Sequence, residues 1–128
     1  MLLYIRRIRS NLFQRSGLMS ITADIIRGHT DTIILAKLIE RDSYGYEINK
    51  AVYSASNQRY ELKEATLYTA FKRLEDAGCI SSYWGDQSTG ARRKYYTITN
   101  IGREVYNQKL AEWTEAKNLI DTLLHTEG

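Results

Sequence analysis

The stretch KEATLYTAFKRLEDAGCISSYW, Lys63 to Trp84, decides the fold. At about 100° per residue, Leu67, Ala70, Phe71, Leu74 and Ala77 gather on one face of a helix, with Thr66, Thr69, Lys72, Arg73 and Asp76 opposite. The spacing predicts a helix from Lys63 to Ala77 with one side in a core and the other free to touch a partner. Gly78 stands where a glycine accepts the left-handed backbone that closes a helix. The period then changes. Cys79 to Trp84 and Lys94 to Thr99 are β-prone runs, and Gly85 to Arg93 between them is polar and glycine-containing. Together they read as a β-hairpin with a long tip that carries Arg92, Arg93 and Lys94.

Upstream, Ile33, Ile34, Leu38 and Ile39 keep helical spacing behind a cap at Thr30 or Asp31. Ser43 is placed to cap a second helix carrying Tyr44, Ile48, Val52 and Tyr53, and the polar run Ser54 to Arg59 is a loop by composition. Downstream, Thr99 or Asn100 caps a long final helix that reaches about Leu124. The predicted class is therefore mainly α with a small β-hairpin, a winged helix-turn-helix followed by a long C-terminal helix. In that arrangement the third helix enters the major groove of DNA and the wing touches the flanking backbone.

The last helix has a second consequence. Tyr106, Leu110, Trp113, Ile120 and Leu124 form one stripe, widened by Ile101, Val105, Ala116, Leu119 and Leu123. So wide an apolar stripe exceeds what three short helices can cover, which points to a partner helix, most simply the same helix of a second copy. Tyr106, Ala116, Ile120 and Leu124 are the expected dimer contacts.

The chain has 128 residues, 43% hydrophobic and 26% charged, with no proline and eight glycines, a composition that fits one helix-rich globular domain. Its single cysteine forms no internal disulfide, and no Cys/His cluster offers a metal site, so the chain suits a reducing cytoplasm. The net charge of +3 is misleading as a sum. Arg6, Arg7, Arg9 and Arg15 contribute +4 within residues 1–18, leaving 14 basic and 15 acidic residues and a net −1 beyond them. These arginines interrupt the apolar residues of the segment, so it is neither a membrane span nor a secretory signal. Two readings of it stand, a basic amphipathic helix for an anionic surface and, the favoured one, an N-terminal extension upstream of a natural beginning at Met19-Ser20. Residues 19–99 are then the winged helix-turn-helix and 100–128 the dimerisation helix.

Tyr44-Gly45-Tyr46-Glu47-Ile48, Glu64-Ala65-Thr66-Leu67-Tyr68 with Lys72-Arg73-Leu74-Glu75 and Gly78, then Gly90, Arg92-Arg93-Lys94-Tyr95-Tyr96 and Thr99 before Gly102, resemble the PadR family of bacterial transcriptional regulators. The likeness covers roughly residues 20 to 124 and is nearest to the short form with one C-terminal helix. Ser81 to Asp86 and the Glu112-Trp113 pair are similar to multidrug-sensing members from lactic acid bacteria. The resemblance implies a homodimeric repressor on a pseudo-palindromic operator, with half-sites about 10 to 10.5 base pairs apart or a multiple of that. It implies double-stranded DNA contacts from Lys63, Thr66, Tyr68, Thr69, Lys72 and Arg73 on the third helix, Arg92, Arg93 and Lys94 on the wing, and Tyr46. It also implies a flat pore at the dimer centre that takes planar aromatic molecules against Trp113, with Leu110, Lys117, Ile25, Thr32 and Ala36 nearby. Lys117 departs from the pattern, standing where drug-sensing members carry an acid, and a lysine there disfavours cationic ligands.

No Ser/His/Asp, Cys/His or paired-carboxylate set has a spacing that argues for catalysis, and no cofactor is expected. His29, His125 and Cys79 are isolated, and Trp84 is read as hairpin packing. Two other readings stay open on sequence: a winged-helix regulator without a small-molecule ligand, and a protein-interaction module that does not bind DNA.

Overall fold

A computed structural model describes residues 21–85 and 92–125. Two units divide the chain, one up to Thr30 and one from Asp31 onward. In the first, residues 21–27 are helical and the Arg27 guanidinium pairs with Asp24 one turn back. The extension expected at residues 1–18 lies outside the described residues.

The order of elements is α1 (Thr30–Glu40), β1 (Ser43–Tyr44), α2 (Gly45–Ala55), α3 (Glu64–Asp76), β2 (Ile80–Trp84), β3 (Lys94–Ile98) and α4 (Asn100–Leu124). Ile34, Leu35 and Leu38 of α1, Ile48 and Val52 of α2, and Leu67, Ala70, Phe71 and Leu74 of α3 close on one core together with Leu62, Cys79, Ile80 and Tyr96. Phe71 stacks on Tyr96 with ring centroids 4.0 Å apart, which seats α3 on the sheet. Helices α1, α2 and α3 each turn the apolar face that the spacing predicts toward this core, with one exception. Ala77, expected in the core, is exposed, because α3 ends at Asp76 and Ala77 is already its C-cap. There Gly78 takes φ +77° and donates to the Glu75 carbonyl, while Cys79 donates to that of Leu74. This paired closure satisfies the last helical carbonyls.

Two expected caps are not caps. Thr30 and Asp31 are the first turn of α1, with the Thr30 hydroxyl donating to the Arg27 carbonyl at 2.6 Å. Ser43 does not cap α2 but forms β1 with Tyr44, so the hairpin becomes a three-stranded antiparallel sheet in the order β1-β3-β2. Two residues are too short for a period to register, and β1 exists because β3 offers it an edge. The register runs Ser43 opposite Tyr96, Tyr44 opposite Tyr95, Tyr83 opposite Tyr95 and Trp84 opposite Lys94.

Between α2 and α3 the chain reverses through Asn57 and Gln58, both in the left-handed region at φ 54° and 64°. Asn49 then holds the run into α3: its side-chain amide donates to the Leu62 carbonyl at 2.8 Å and its Oδ1 accepts from the Leu62 N–H at 3.0 Å. At the other end Thr99 caps α4, its Oγ1 accepting from Gly102 N at 3.1 Å and donating to the Gly78 carbonyl at 2.6 Å.

Candidate nucleic-acid interface

Helix α3 turns Thr69 and Lys72 outward, with Thr66 half-buried and Lys63 exposed just before the helix. Lys72 is held loosely by Asp76 one turn on, at 3.8 Å. Tyr68 is about half exposed, at 49%, and meets Phe71 edge-on at 5.7 Å. A Cβ on Gly45 would lie 2.8 Å from the Tyr68 hydroxyl, so this tyrosine reaches across to the first residue of α2, where only a glycine leaves it room. Arg73 is not free. Its guanidinium is bound to Asp31 of α1 through two hydrogen bonds. The face predicted for α3 thus divides into an outward set, Lys63, Thr66, Tyr68, Thr69 and Lys72, and an arginine engaged within the fold.

Arg92, Arg93 and Lys94 are exposed, Arg92 and Arg93 just before β3 and Lys94 at its start; residues 86–91 lie outside the described residues. Each cation sits over an aromatic ring: Arg92 over Trp84 at 5.0 Å, Arg93 over Tyr44 at 4.8 Å and Lys94 over Tyr96 at 5.6 Å. Tyr44 also stacks on Tyr46, which is 69% exposed at the start of α2, so the wing root and α2 meet through one ring. Beneath them Tyr95 packs edge-on to Tyr44 and flat on Tyr83, and Gly85 lets the Tyr95 ring in, since a Cβ there would lie 2.3 Å from it. Tyr83 donates to Asp42 at 2.7 Å, which raises its pKa above the ordinary phenol value. Ser82 donates to Glu75 of α3 at 3.0 Å. The wing is therefore tied to the helix whose face it flanks.

On α4 the predicted stripe divides. Val105 and Tyr106 are half-buried against the core, whereas Leu110, Trp113, Leu119, Ile120, Leu123 and Leu124 are between 41% and 77% exposed. Ala116 and Lys117 are exposed too. Of the remaining residues expected near a pore, Thr32 and Ala36 are half-buried on α1, and Ile25 is 59% exposed in the unit that ends at Thr30. Among the described residues no helix is long and apolar enough to cross a membrane.

The sequence reading missed Asp31, Asn49 and the aromatic partners of the wing. Asn49 carries a signal: an asparagine inside an amphipathic helix lowers helix propensity, so its side chain has reason to be engaged elsewhere. Asp31 and Tyr44 carry none, because their partners are remote in sequence.

Residues 34–108 match the model of the transcriptional regulator PadR-like family. The chain belongs to that family. It is 45% identical over 104 residues to an uncharacterised protein of Lysinibacillus sphaericus, covering 81% of this chain and 95% of that one. Among solved structures it is similar to a transcriptional regulator from Clostridium thermocellum, at 48% identity and TM-score 0.74, covering 80% of this chain and 97% of the other. It is likewise similar to a PadR family transcription regulator from Clostridium difficile, at 39% identity and TM-score 0.65, covering 76% and 99%. A PadR-family chain of this kind is a transcription regulator that binds DNA, and not an enzyme.

Proposed function

We propose that this PadR-family regulator is a homodimeric repressor that binds a pseudo-palindromic operator and responds to planar aromatic molecules at the dimer centre. The observation that carries the reading is the α4 stripe from Leu110 to Leu124, whose large apolar side chains stay exposed in the single chain. Fully burying one such side chain contributes roughly 1.5–3 kcal/mol, so covering six of them is a strong drive to pair. Two α4 helices related by a two-fold axis cover each other, with Ala116, Ile120 and Leu124 at the contact and Tyr106 at its edge, packed on its own core.

The dimer presents two α3 helices, with Lys63, Thr66, Tyr68, Thr69 and Lys72 toward the major groove and Tyr46, Arg92, Arg93 and Lys94 toward backbone phosphates. Residues 19–99 serve as the DNA-binding part and 100–128 as the dimerisation part, acting in the cytoplasm. Trp113 supplies an indole from each protomer, with Leu110, Ile25, Thr32 and Ala36 as further lining. Lys117 tilts preference toward neutral or anionic aromatics. The likeness of Ser81 to Asp86 and Glu112-Trp113 to the multidrug-sensing repressor of lactic acid bacteria supports this ligand class. Release from DNA requires that the ligand bind the DNA-incompetent arrangement better than the competent one.

The test is operator binding as a function of salt, with and without ligand. Affinity falling steeply between about 50 and 200 mM salt, and Trp113 fluorescence quenched by planar aromatics but not in Trp113→Phe, is the expected result. Flat salt dependence overturns the DNA assignment, and equal quenching in Trp113→Phe overturns the pore.

A further inference from the structure

We propose that Trp84 and Tyr44 are positioning residues for DNA binding, holding Arg92 and Arg93 over their rings so that each guanidinium meets a separate backbone phosphate. The inference rests on the reading of the wing as a DNA contact and goes on to say how its arginines are aimed. The strand register brings the pairs together. Trp84 stands opposite Lys94, so Arg92, two residues before Lys94, lies diagonally across from the indole on the same face of the ribbon. Tyr44 stands opposite Tyr95, so Arg93 is diagonal to Tyr44 in the same way, on the other face. The separations, 5.0 Å and 4.8 Å to the ring centroids, are contact distances for a cation on a ring.

Arginine side chains on a hairpin arm otherwise sample many rotamers, and ordering them on binding weakens the complex. A ring contact restrains the side chain without using its N–H donors. Among the described residues neither arginine has a carboxylate in ion-pair reach, unlike Arg73 on Asp31. Stacking engages the face of a guanidinium and not its in-plane N–H groups, so the ring contact itself is compatible with planar, two-point bonding to phosphate oxygens. Because the two arginines project from opposite faces of the ribbon, they serve two different phosphates.

The test is a double-mutant cycle on the full-length protein, read as affinity for a labelled random-sequence duplex at several salt concentrations, since phosphate contacts carry no sequence information. Arg92→Ala and Arg93→Ala should each weaken binding and each lower the salt slope by about one. Trp84→Leu, which keeps apolar bulk but removes the indole, should weaken binding about two- to fivefold, and Trp84→Phe should restore most of the loss. In the Arg92→Ala background Trp84→Leu should have no further effect, and Tyr44→Leu should behave likewise against Arg93→Ala.

Equal losses from Trp84→Leu with and without Arg92, or a failure of Trp84→Phe to restore binding, overturn the positioning role. Unchanged affinity and slope in Arg92→Ala and Arg93→Ala overturn instead the wing as a DNA contact, so the two failures are distinguishable. Thermal unfolding of each variant guards against misfolding, and the comparison between backgrounds cancels any loss of stability common to both.

Discussion

Arg73 and Asp31 form a two-point ion pair between α3 and the first turn of α1, with Nε donating to Oδ2 at 3.0 Å and Nη2 to Oδ1 at 2.5 Å. Asp31 is the more sheltered partner, its side chain 25% exposed against 55% for Arg73. The hydrogen bond that Arg73 donates to Asp31 is the main cause that raises the arginine's already high pKa. A cation on the outward side of α3 is thereby a clamp between α3 and α1.

The first prediction separates clamp from contact. Arg73→Ala and Asp31→Ala should each lower stability by about 1 kcal/mol, the upper range for a partly exposed pair with ideal geometry. For a domain of this size that is a fall in melting temperature of about 4 °C. Arg73→Ala should leave the salt slope of DNA binding unchanged, whereas a phosphate-contacting arginine would lower it by about one. A reduced slope at unchanged stability would make Arg73 a DNA contact after all.

The start of α4 is a second place where a small change has a large effect. A Cβ on Gly102 would stand 2.1 Å from the Cys79 carbonyl oxygen and 2.7 Å from Ile98 Cγ1, so α4 would have to move off the turn that ends α3. Gly102→Ala should destabilise by about 1–3 kcal/mol in urea unfolding, an overpacking effect. Thr99→Ala, which removes the cap, should cost about 1 kcal/mol.

The exposed α4 stripe predicts a concentration-dependent assembly. Leu119→Glu with Leu123→Glu should give a monomer by sedimentation, with helix content retained because neither side chain belongs to the core. DNA affinity should fall sharply, since two half-sites are then no longer engaged together. A double variant that remains dimeric would exclude this stripe as the interface.

Alkaline pH provides a fourth check. Burial raises the Cys79 thiol above its ordinary 9.0 and the Tyr96 phenol above 10.0, and the hydrogen bond to Asp42 raises Tyr83 in the same direction. Each group favours its neutral form in the folded protein. The stability this contributes is fully present below the ordinary values and is lost as pH rises through the raised ones. Unfolding free energy should therefore hold from neutral pH to about pH 9 and decline above it. Tyr83→Phe should remove part of that decline. Cys79 should resist a thiol reagent at pH 8 in the native protein and react once urea unfolds it.

Local order was legible in the sequence because local order depends on neighbours three, four or two residues away. The helical spacing of Leu67, Ala70, Phe71 and Leu74, the glycine at 78, the cap at Thr99 and the β-prone runs on either side of the wing each announce their element in this way. Even the surplus of apolar surface on α4 was visible, since a stripe can be counted against the helices available to cover it. Ser43 escaped because a strand of two residues has no period and exists only through pairing with Tyr96.

The roles of single charges were another matter. Composition and spacing set Arg73, Arg92 and Arg93 side by side as cations available to DNA, and nothing local distinguishes them. Tertiary structure does: it places a carboxylate 42 residues away in sequence against Arg73, and aromatic rings diagonally across the sheet beneath Arg92 and Arg93. A side chain's charge belongs to its residue, but what that charge can reach is set by contacts distant in sequence, and those exist only after the core has closed.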